Sequence, residues 1–391
     1  MSSSTRWSGL LSMLFFVYGC GGSPSTATIT PSRVEQSQQT CKRDEIASVG
    51  LLHSGKTQVV LGQNIGQKED TFEIADDFSN KTGIPVSGGM SYLEIFRSVD
   101  EIQKQLNTLK TKILARQGWN HDLAISFGAA STPAAPQGSL IALGIYDEQI
   151  RALADFLNSL EGRLVYLRIG YEFDLLGGQY GPPDIYKSAY RRVADGLCQQ
   201  NVNNVSLVWH SSGAFFRADQ SSGFFGLLGG LDPTGVALTI GETLTNSGAP
   251  NIGLPISDFY PGREYVDFFA ISYWGDSCCF GPTSNENVAL YEKETRRLLN
   301  EALALGLPLR MGEATPGNVG ANSGDASVDW VNRYLKLIEE YNIQSTNLIS
   351  IDWSASPFFS AFNGFYGDAR LQDYDDTRRA ISQGLSQERY R

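Results

Sequence analysis

Histidine is nearly missing from this chain, with three residues in 391, and the five cysteines contain no CxxC pair. A zinc or other transition-metal centre built from His and Cys ligands is therefore not expected. No GxSxG occurs, so the nucleophile elbow of serine hydrolases is missing. No glycine-rich phosphate fingerprint follows the first strand-like segment, which removes the signature of a dinucleotide cofactor. Cofactor and metal are both expected to be none. Basic residues are also in deficit: 31 Lys and Arg stand against 42 Asp and Glu, a formal net charge of −11. A surface of that sign repels polyanions, so nucleic acid is not an expected partner. Apolar runs of membrane-spanning length are missing too. The longest, Leu10–Tyr18, is too short to serve as a final transmembrane anchor.

What that run does resemble is a secretion signal. Arg6 precedes it, and it ends at Val17-Tyr18-Gly19-Cys20, similar to a bacterial lipoprotein box in which Cys20 is lipidated and becomes the mature N-terminus. An ordinary secretory signal with an incidental cysteine is the alternative. Residues 1–19 are accordingly expected to be a lipoprotein signal peptide. Residues 20–45, rich in Ser, Thr and Pro, would be the lipidated cysteine and a tether, and residues 46–391 the folded domain. The expected location is extracytoplasmic, on the outer membrane or cell surface through the N-terminal lipid alone, or else secreted. Four cysteines remain beyond Cys20, namely Cys41, Cys198, Cys278 and Cys279, and they allow three pairings. A vicinal Cys278–Cys279 bridge with Cys41–Cys198 is favoured, and free adjacent thiols are the alternative.

From residue 58 onward the chain alternates short, nearly continuous apolar runs with segments of helical periodicity. The strand candidates are 58–64, 84–88, 123–127, 164–171, 205–210, 266–274, 307–313 and 348–353, eight in all, with helices at 146–160, 184–199, 286–305 and 327–340 among those between them. Strands apolar on both faces and separated by helices belong to a parallel sheet covered on both sides. Eight such units predict a single-domain (β/α)8 TIM barrel with long βα loops; an open doubly wound sheet is the alternative. Two loops exceed the minimum, 215–260 and 354–374, and are expected to wall a cleft at the catalytic face. The protein is expected to be a monomer.

In a TIM barrel, chemistry sits at the C-terminal ends of the strands. Two glutamates occupy such positions: Glu172, after LVYLRIGY, and Glu313, in LPLRMGEATP. Cleavage of a glycosidic bond requires two carboxyl groups flanking it, and strands four and seven face each other across a barrel mouth. Arg168 precedes Glu172 by four residues and is expected on the same face, paired with a substrate-side group or with a core acid. His210 ends strand five, where it could bond a substrate hydroxyl, bond Glu172, or simply pack. Asp174 and Asp267 read as structural. Trp274, Phe215, Phe216 and Tyr180 are loop aromatics, for sugar stacking or for loop packing.

The runs LRIGYEFD, YKSAYRRVADGL, NVSLVWHSSG, FYPGREYVDFFAISYWGD, PLRMGEATP and ISIDWSASP together resemble glycoside hydrolase family 26, a family mainly of β-mannanases with some β-glucanases and β-xylanases. The resemblance covers about residues 58–372 with the motifs in order. It implies a retaining endo-β-glycanase with Glu172 as general acid/base and Glu313 as nucleophile. It further implies that the Tyr273 hydroxyl holds the nucleophile, that Trp353 forms a hydrophobic floor beneath the sugar, and that the partner is a neutral β-linked polysaccharide or oligosaccharide. Tyr171 departs from the family's usual histidine before the acid/base, which bears on the preference for mannose. A non-catalytic glycan-binding lipoprotein on the same scaffold is the other function the sequence allows.

Overall fold

The structure is a computed structural model that describes residues 57–62, 71–127, 137–174, 180–213, 256–274, 285–316, 323–353 and 367–386. All of these lie in one compact unit spanning Cys41–Arg391. The signal sequence, Cys20 and the tether lie outside the described residues, as do Cys41, Cys278, Cys279, Phe215 and Phe216.

Eight parallel strands close into a barrel in sequence order: β1 (Gln58–Gly62), β2 (Gly88–Glu94), β3 (Asn120–Ser126), β4 (Val165–Ile169), β5 (Val205–Ser211), β6 (Phe268–Tyr273), β7 (Leu309–Ala314) and β8 (Ser345–Ile349). Around them run α1 (Thr71–Thr82), α2 (Val99–Leu114), α3 (Gln137–Ala142), α4 (Asp147–Asn158), α5 (Pro183–Gln199), α6 (Asn285–Ala304), α7 (Asp325–Glu340) and α8 (Asp375–Leu385). The expected (β/α)8 barrel is the observed one. Local sequence explains the helices. Ser98 and Glu101 form a reciprocal capping box that starts α2, and Ile102, Leu106, Leu109 and Ile113 then recur at helical spacing on its buried face. Pro183 opens α5, whose missing N–H is no loss in a first turn.

Two strands sit elsewhere than expected. Ile84 and Val86 lead into β2, but the strand itself is GGMSYLE, Gly88–Glu94, which reads poorly as a strand because it begins with two glycines. Gly88 is required there: a Cβ would lie 2.6 Å from the Asn120 carbonyl oxygen across the β2–β3 ladder. The last strand lies earlier than expected, at Ser345–Ile349, because its polar residues are buried with partners. Ser345 accepts from Arg310 at 3.1 Å, Thr346 bonds Tyr334, and Asn347 donates to the Gly312 carbonyl at 2.9 Å.

The main core is the shell between sheet and helices, to which Leu167, Ile169, Trp209, Ile271 and Leu348 point. Inside the barrel the apolar filling is split. Tyr166, Val208, Phe268 and Ala270 form one cluster, while Val60, Met90, Ile349, Ile351, Trp353 and Ala369 form another. The usual barrel interior is filled by layers of apolar side chains. Here Asp122, Arg168, His210, Arg310 and Glu313 are also fully or almost fully buried. Buried charges of this kind persist only when paired and hydrogen-bonded.

The interior tolerates little extra volume where β1 meets β2. A Cβ on Gly62 would lie 2.5 Å from the Met90 Cβ and 3.0 Å from its carbonyl oxygen. Gly62→Ala is expected to lower stability by about 1–3 kcal/mol, as overpacking does, measured by urea unfolding of the whole chain.

Candidate active site

β4 ends at Ile169, so Glu172 does not reach the barrel mouth by strand alternation. Two left-handed backbone positions do the work instead, at Gly170 (φ 57°) and at Glu172 itself (φ 50°). A glutamate in that region is uncommon and costs about 1–3 kcal/mol unless its surroundings enforce it. Asp174 supplies the enforcement. Its carboxylate accepts from Ser211 Oγ and Ser212 Oγ, both at 2.8 Å, and from the Ser212 amide at 2.7 Å, clamping the turn to the end of β5.

Glu313 reaches the interior through an irregularity. Along β7, Arg310 points inward and Met311 outward, so simple alternation would turn Glu313 out toward the helices. The register with β6 slips, pairing Ile271 with Met311 but Ser272 with Glu313. This bulge carries Met311 and Ala314 into the outer core and leaves Gly312 and Glu313 together on the inner side. Gly312 must be glycine, since a Cβ there would lie 2.4 Å from His210 Nε2.

Arg168 stands between Glu313 and a third acid, Asp122. Its Nε donates to Asp122 at 2.6 Å, and its Nη1 donates to Glu313 Oε1 at 2.7 Å. The same Nη1 lies 3.2 Å from His210 Nδ1. Arg168 thus makes two ion pairs at once, with the core acid Asp122 and with the strand-seven acid Glu313. Asp122 also lies 3.3 Å from Arg310, whose guanidinium stacks on Tyr166. On the other side, His210 Nε2 is 3.1 Å from Ser272 Oγ, and Ser272 donates to Glu172 Oε1 at 2.6 Å. One continuous polar path therefore joins Glu313 to Glu172.

The two acids have unlike surroundings. Burial pushes the Glu172 carboxyl well above the usual range, and the nearby Glu313 charge adds to this, while Ser272 and Arg168 act the other way. Glu313 accepts two charge-assisted or hydroxyl bonds, from Arg168 and from Tyr92 Oη at 2.7 Å. Arg168 is ion-paired to Asp122 and Glu313, and Arg310 to Asp122, whereas Glu172 has no ion pair among the described residues. His210 is driven well below its ordinary value by burial and by both arginines, which keeps it neutral. Among the described residues, no group of three or more His, Cys, Asp or Glu side chains could hold a metal ion.

Several expectations need correction. Tyr273 does not touch Glu313. Like Phe269 and Ile271, it projects outward from β6 into the helix layer, where its hydroxyl donates to Glu292. The tyrosine on Glu313 is Tyr92 of β2, which sequence reasoning missed because that strand was displaced. Trp353 offers no open floor: it is 1% exposed, its indole nitrogen donates to Thr315 at 3.3 Å, and its ring lies 5.8 Å from Trp274. Trp274 is half-buried beyond the end of β6. Tyr171 is half-buried beside the acids, edge-on to Tyr92 at 5.4 Å and stacked on His210 at 6.3 Å. Tyr180 is buried against Phe127 at 5.1 Å and belongs to the core. Asp267 accepts from the Leu207 amide at 2.7 Å, tying β6 to β5. Cys198 is disulfide-bonded, with its partner outside the described residues.

Solved structures share this architecture. A GH26 β-mannanase from Bacteroides ovatus matches with a TM-score of 0.53 at 15% identity, over 86% of this chain and 90% of its own. An engineered protein matches with a TM-score of 0.53 at 12% identity, over 86% of this chain and 70% of its own. At these identities the likeness is one of fold. No protein-family profile and no curated protein matches the sequence.

Tyr92→Phe removes a donor from a buried carboxylate. It is expected to cost about 1–3 kcal/mol in urea unfolding at neutral pH. The cost should shrink in a Glu313→Gln background, and a double-mutant cycle measures that coupling.

Proposed function

We propose that this chain is a retaining endo-β-glycanase of the glycoside hydrolase family 26 type. Its substrate would be a neutral β-linked polysaccharide, with a β-mannan the first to try given the fold it shares with a β-mannanase. The observation that carries this reading is the pair of acids at one barrel mouth with opposed environments. One is pushed toward its protonated form, and the other is ion-paired to a buried guanidinium. Glycoside hydrolysis needs that division of labour.

On this reading, Glu172 protonates the glycosidic oxygen while Glu313 attacks the anomeric carbon, giving a covalent glycosyl-enzyme. Glu172, now a carboxylate, then takes a proton from the water that hydrolyses it. Arg168 and Tyr92 hold one oxygen of Glu313 and leave the other lone pairs for attack. Half-buried Tyr171 and Trp274 present ring surface to the C–H faces of sugars, with Trp353 packed behind Trp274. The acidic overall charge suits an uncharged substrate.

The chain from about residue 40, which keeps Cys41, should release reducing ends from one of mannan, xylan, mixed-linkage glucan or β-1,3-glucan. Glu172→Ala should lower kcat/KM on that polysaccharide by about 10²–10⁴-fold, the usual share of a general acid. With azide and an activated aryl glycoside, this variant should yield the β-glycosyl azide and Glu313→Ala the α-glycosyl azide. If no polysaccharide is cut and one is bound equally by wild type and both variants, the protein is a glycan-binding one. The location is proposed as well: Cys20 carries a lipid that holds the domain at the cell envelope. Cys20→Ser should move the full chain from the detergent phase to the aqueous phase on phase partition.

A further inference from the structure

The polar path between the two acids has a direction, and that direction has a chemical consequence. A guanidinium carries donors only. Arg168 Nη1 lies 3.2 Å from His210 Nδ1, so Nδ1 is the acceptor and the proton of the neutral ring sits on Nε2. Nε2 lies 3.1 Å from Ser272 Oγ and therefore donates to it. Among the described residues the serine's own hydrogen then has one acceptor, Glu172 Oε1 at 2.6 Å. Every bond in the series runs the same way, from Arg168 through His210 and Ser272 to Glu172. Gly312 keeps the imidazole in place, because any side chain there would displace the ring.

We propose that Ser272 and His210, polarised by Arg168, fix the proton of the Glu172 carboxylic acid on Oε2, and that Ser272 is a positioning residue for the acid step. The proposal rests on the reading of Glu172 as the acid. Oε1 accepts from Ser272 and so is the carbonyl oxygen of the protonated group. Oε2 takes no bond from the described residues, and Glu172 keeps 7% of its surface exposed. During glycosidic cleavage the Oε2–H bond breaks and the proton goes to the leaving oxygen, which keeps the electron pair of the breaking C–O bond. Glu313 supplies the pair that forms the new bond to carbon. Glu172 is left as a carboxylate, and the Ser272 O–H already faces its Oε1. One group thus orients the acid before transfer and stabilises its conjugate base afterward.

Other groups act on Glu172 from the elements around it: Glu313 on β7, Arg168 on β4, His210 on β5, and Asp174, Tyr171 and Tyr180 on the segment after β4. None of these except the His210–Ser272 pair determines which oxygen carries the hydrogen. Because Ser272 stabilises the ionised form, removing it should make Glu172 a weaker acid. A general acid works only while protonated, so the alkaline limb of the rate profile should move to higher pH.

The test compares wild type, Ser272→Ala and Ser272→Thr in two ways. The first is the pH profile of kcat/KM on the polysaccharide and on a dinitrophenyl glycoside, whose leaving group needs little protonation. The second is the ¹³C NMR titration of Glu172, assigned by its loss in Glu172→Gln. Ser272→Ala should move the alkaline limb and the titration upward together. It should lower kcat/KM on the polysaccharide by about tenfold, with a loss at least about fivefold smaller on the activated glycoside. Ser272→Thr should restore both readouts. If Ser272→Ala does not fold, Ser272→Cys, with its weak donor, takes its place. An unmoved titration in a folded variant overturns the proposal, as does an equal loss on the two substrates. If wild type cuts no glycoside while the titration still moves and recovers, the glycanase reading fails and the hydrogen-bond series stands.

Discussion

The barrel interior depends on one guanidinium. Arg168 is fully buried, and its charge in a low-dielectric interior is sustained only by what surrounds it: the carboxylates of Asp122 and Glu313, the lone pair of His210, the sulfur of Met90, and the faces of Tyr92 and Tyr171. Those partners come from β2, β3, β5, β7 and the turn after β4. A single side chain thereby fixes the relative positions of most of the strands that meet at the mouth. It also sets the electrostatic terms of the site, since Glu313 is ion-paired to it, while at Glu172, one histidine and one serine away, its charge is outweighed by burial.

The backbone is adapted to this arrangement at its irregular points. Two left-handed residues bring Glu172 up from β4, and the β7 bulge turns Glu313 inward. Glycines stand where strand meets strand or ring meets strand, at Gly62, Gly88 and Gly312. Regular strand geometry alone would have placed neither acid where it is. The clamp of Asp174 on Ser211 and Ser212 shows the same logic, a buried acid whose role is to hold a turn.

Much of the fold was legible because burial on both faces leaves near-continuous apolar runs, as in Val205–Ser211 and Phe268–Tyr273. That same property hid which side each residue takes. In FFAISY both faces are apolar, so nothing local shows that Ser272 turns inward and Tyr273 outward. The placement of Tyr273 on Glu313 failed for this reason. Tyr92 was invisible because its strand opens with two glycines whose purpose, close approach to Asn120, appears only in three dimensions. Glu172 and Glu313 were found from their positions at the ends of runs. The bulge that aims Glu313 was not, because it depends on the register between β6 and β7 and not on either sequence alone.

The left-handed backbone at Glu172 sets stability and chemistry against each other at a single codon. Glycine or asparagine would adopt φ 50° with less strain than glutamate does, and either would remove a carboxyl group that is awkward to bury. Glutamate also takes this conformation at Glu161 (φ 54°), but that residue is exposed, whereas the Glu172 carboxyl is buried, so position 172 bears both costs at once.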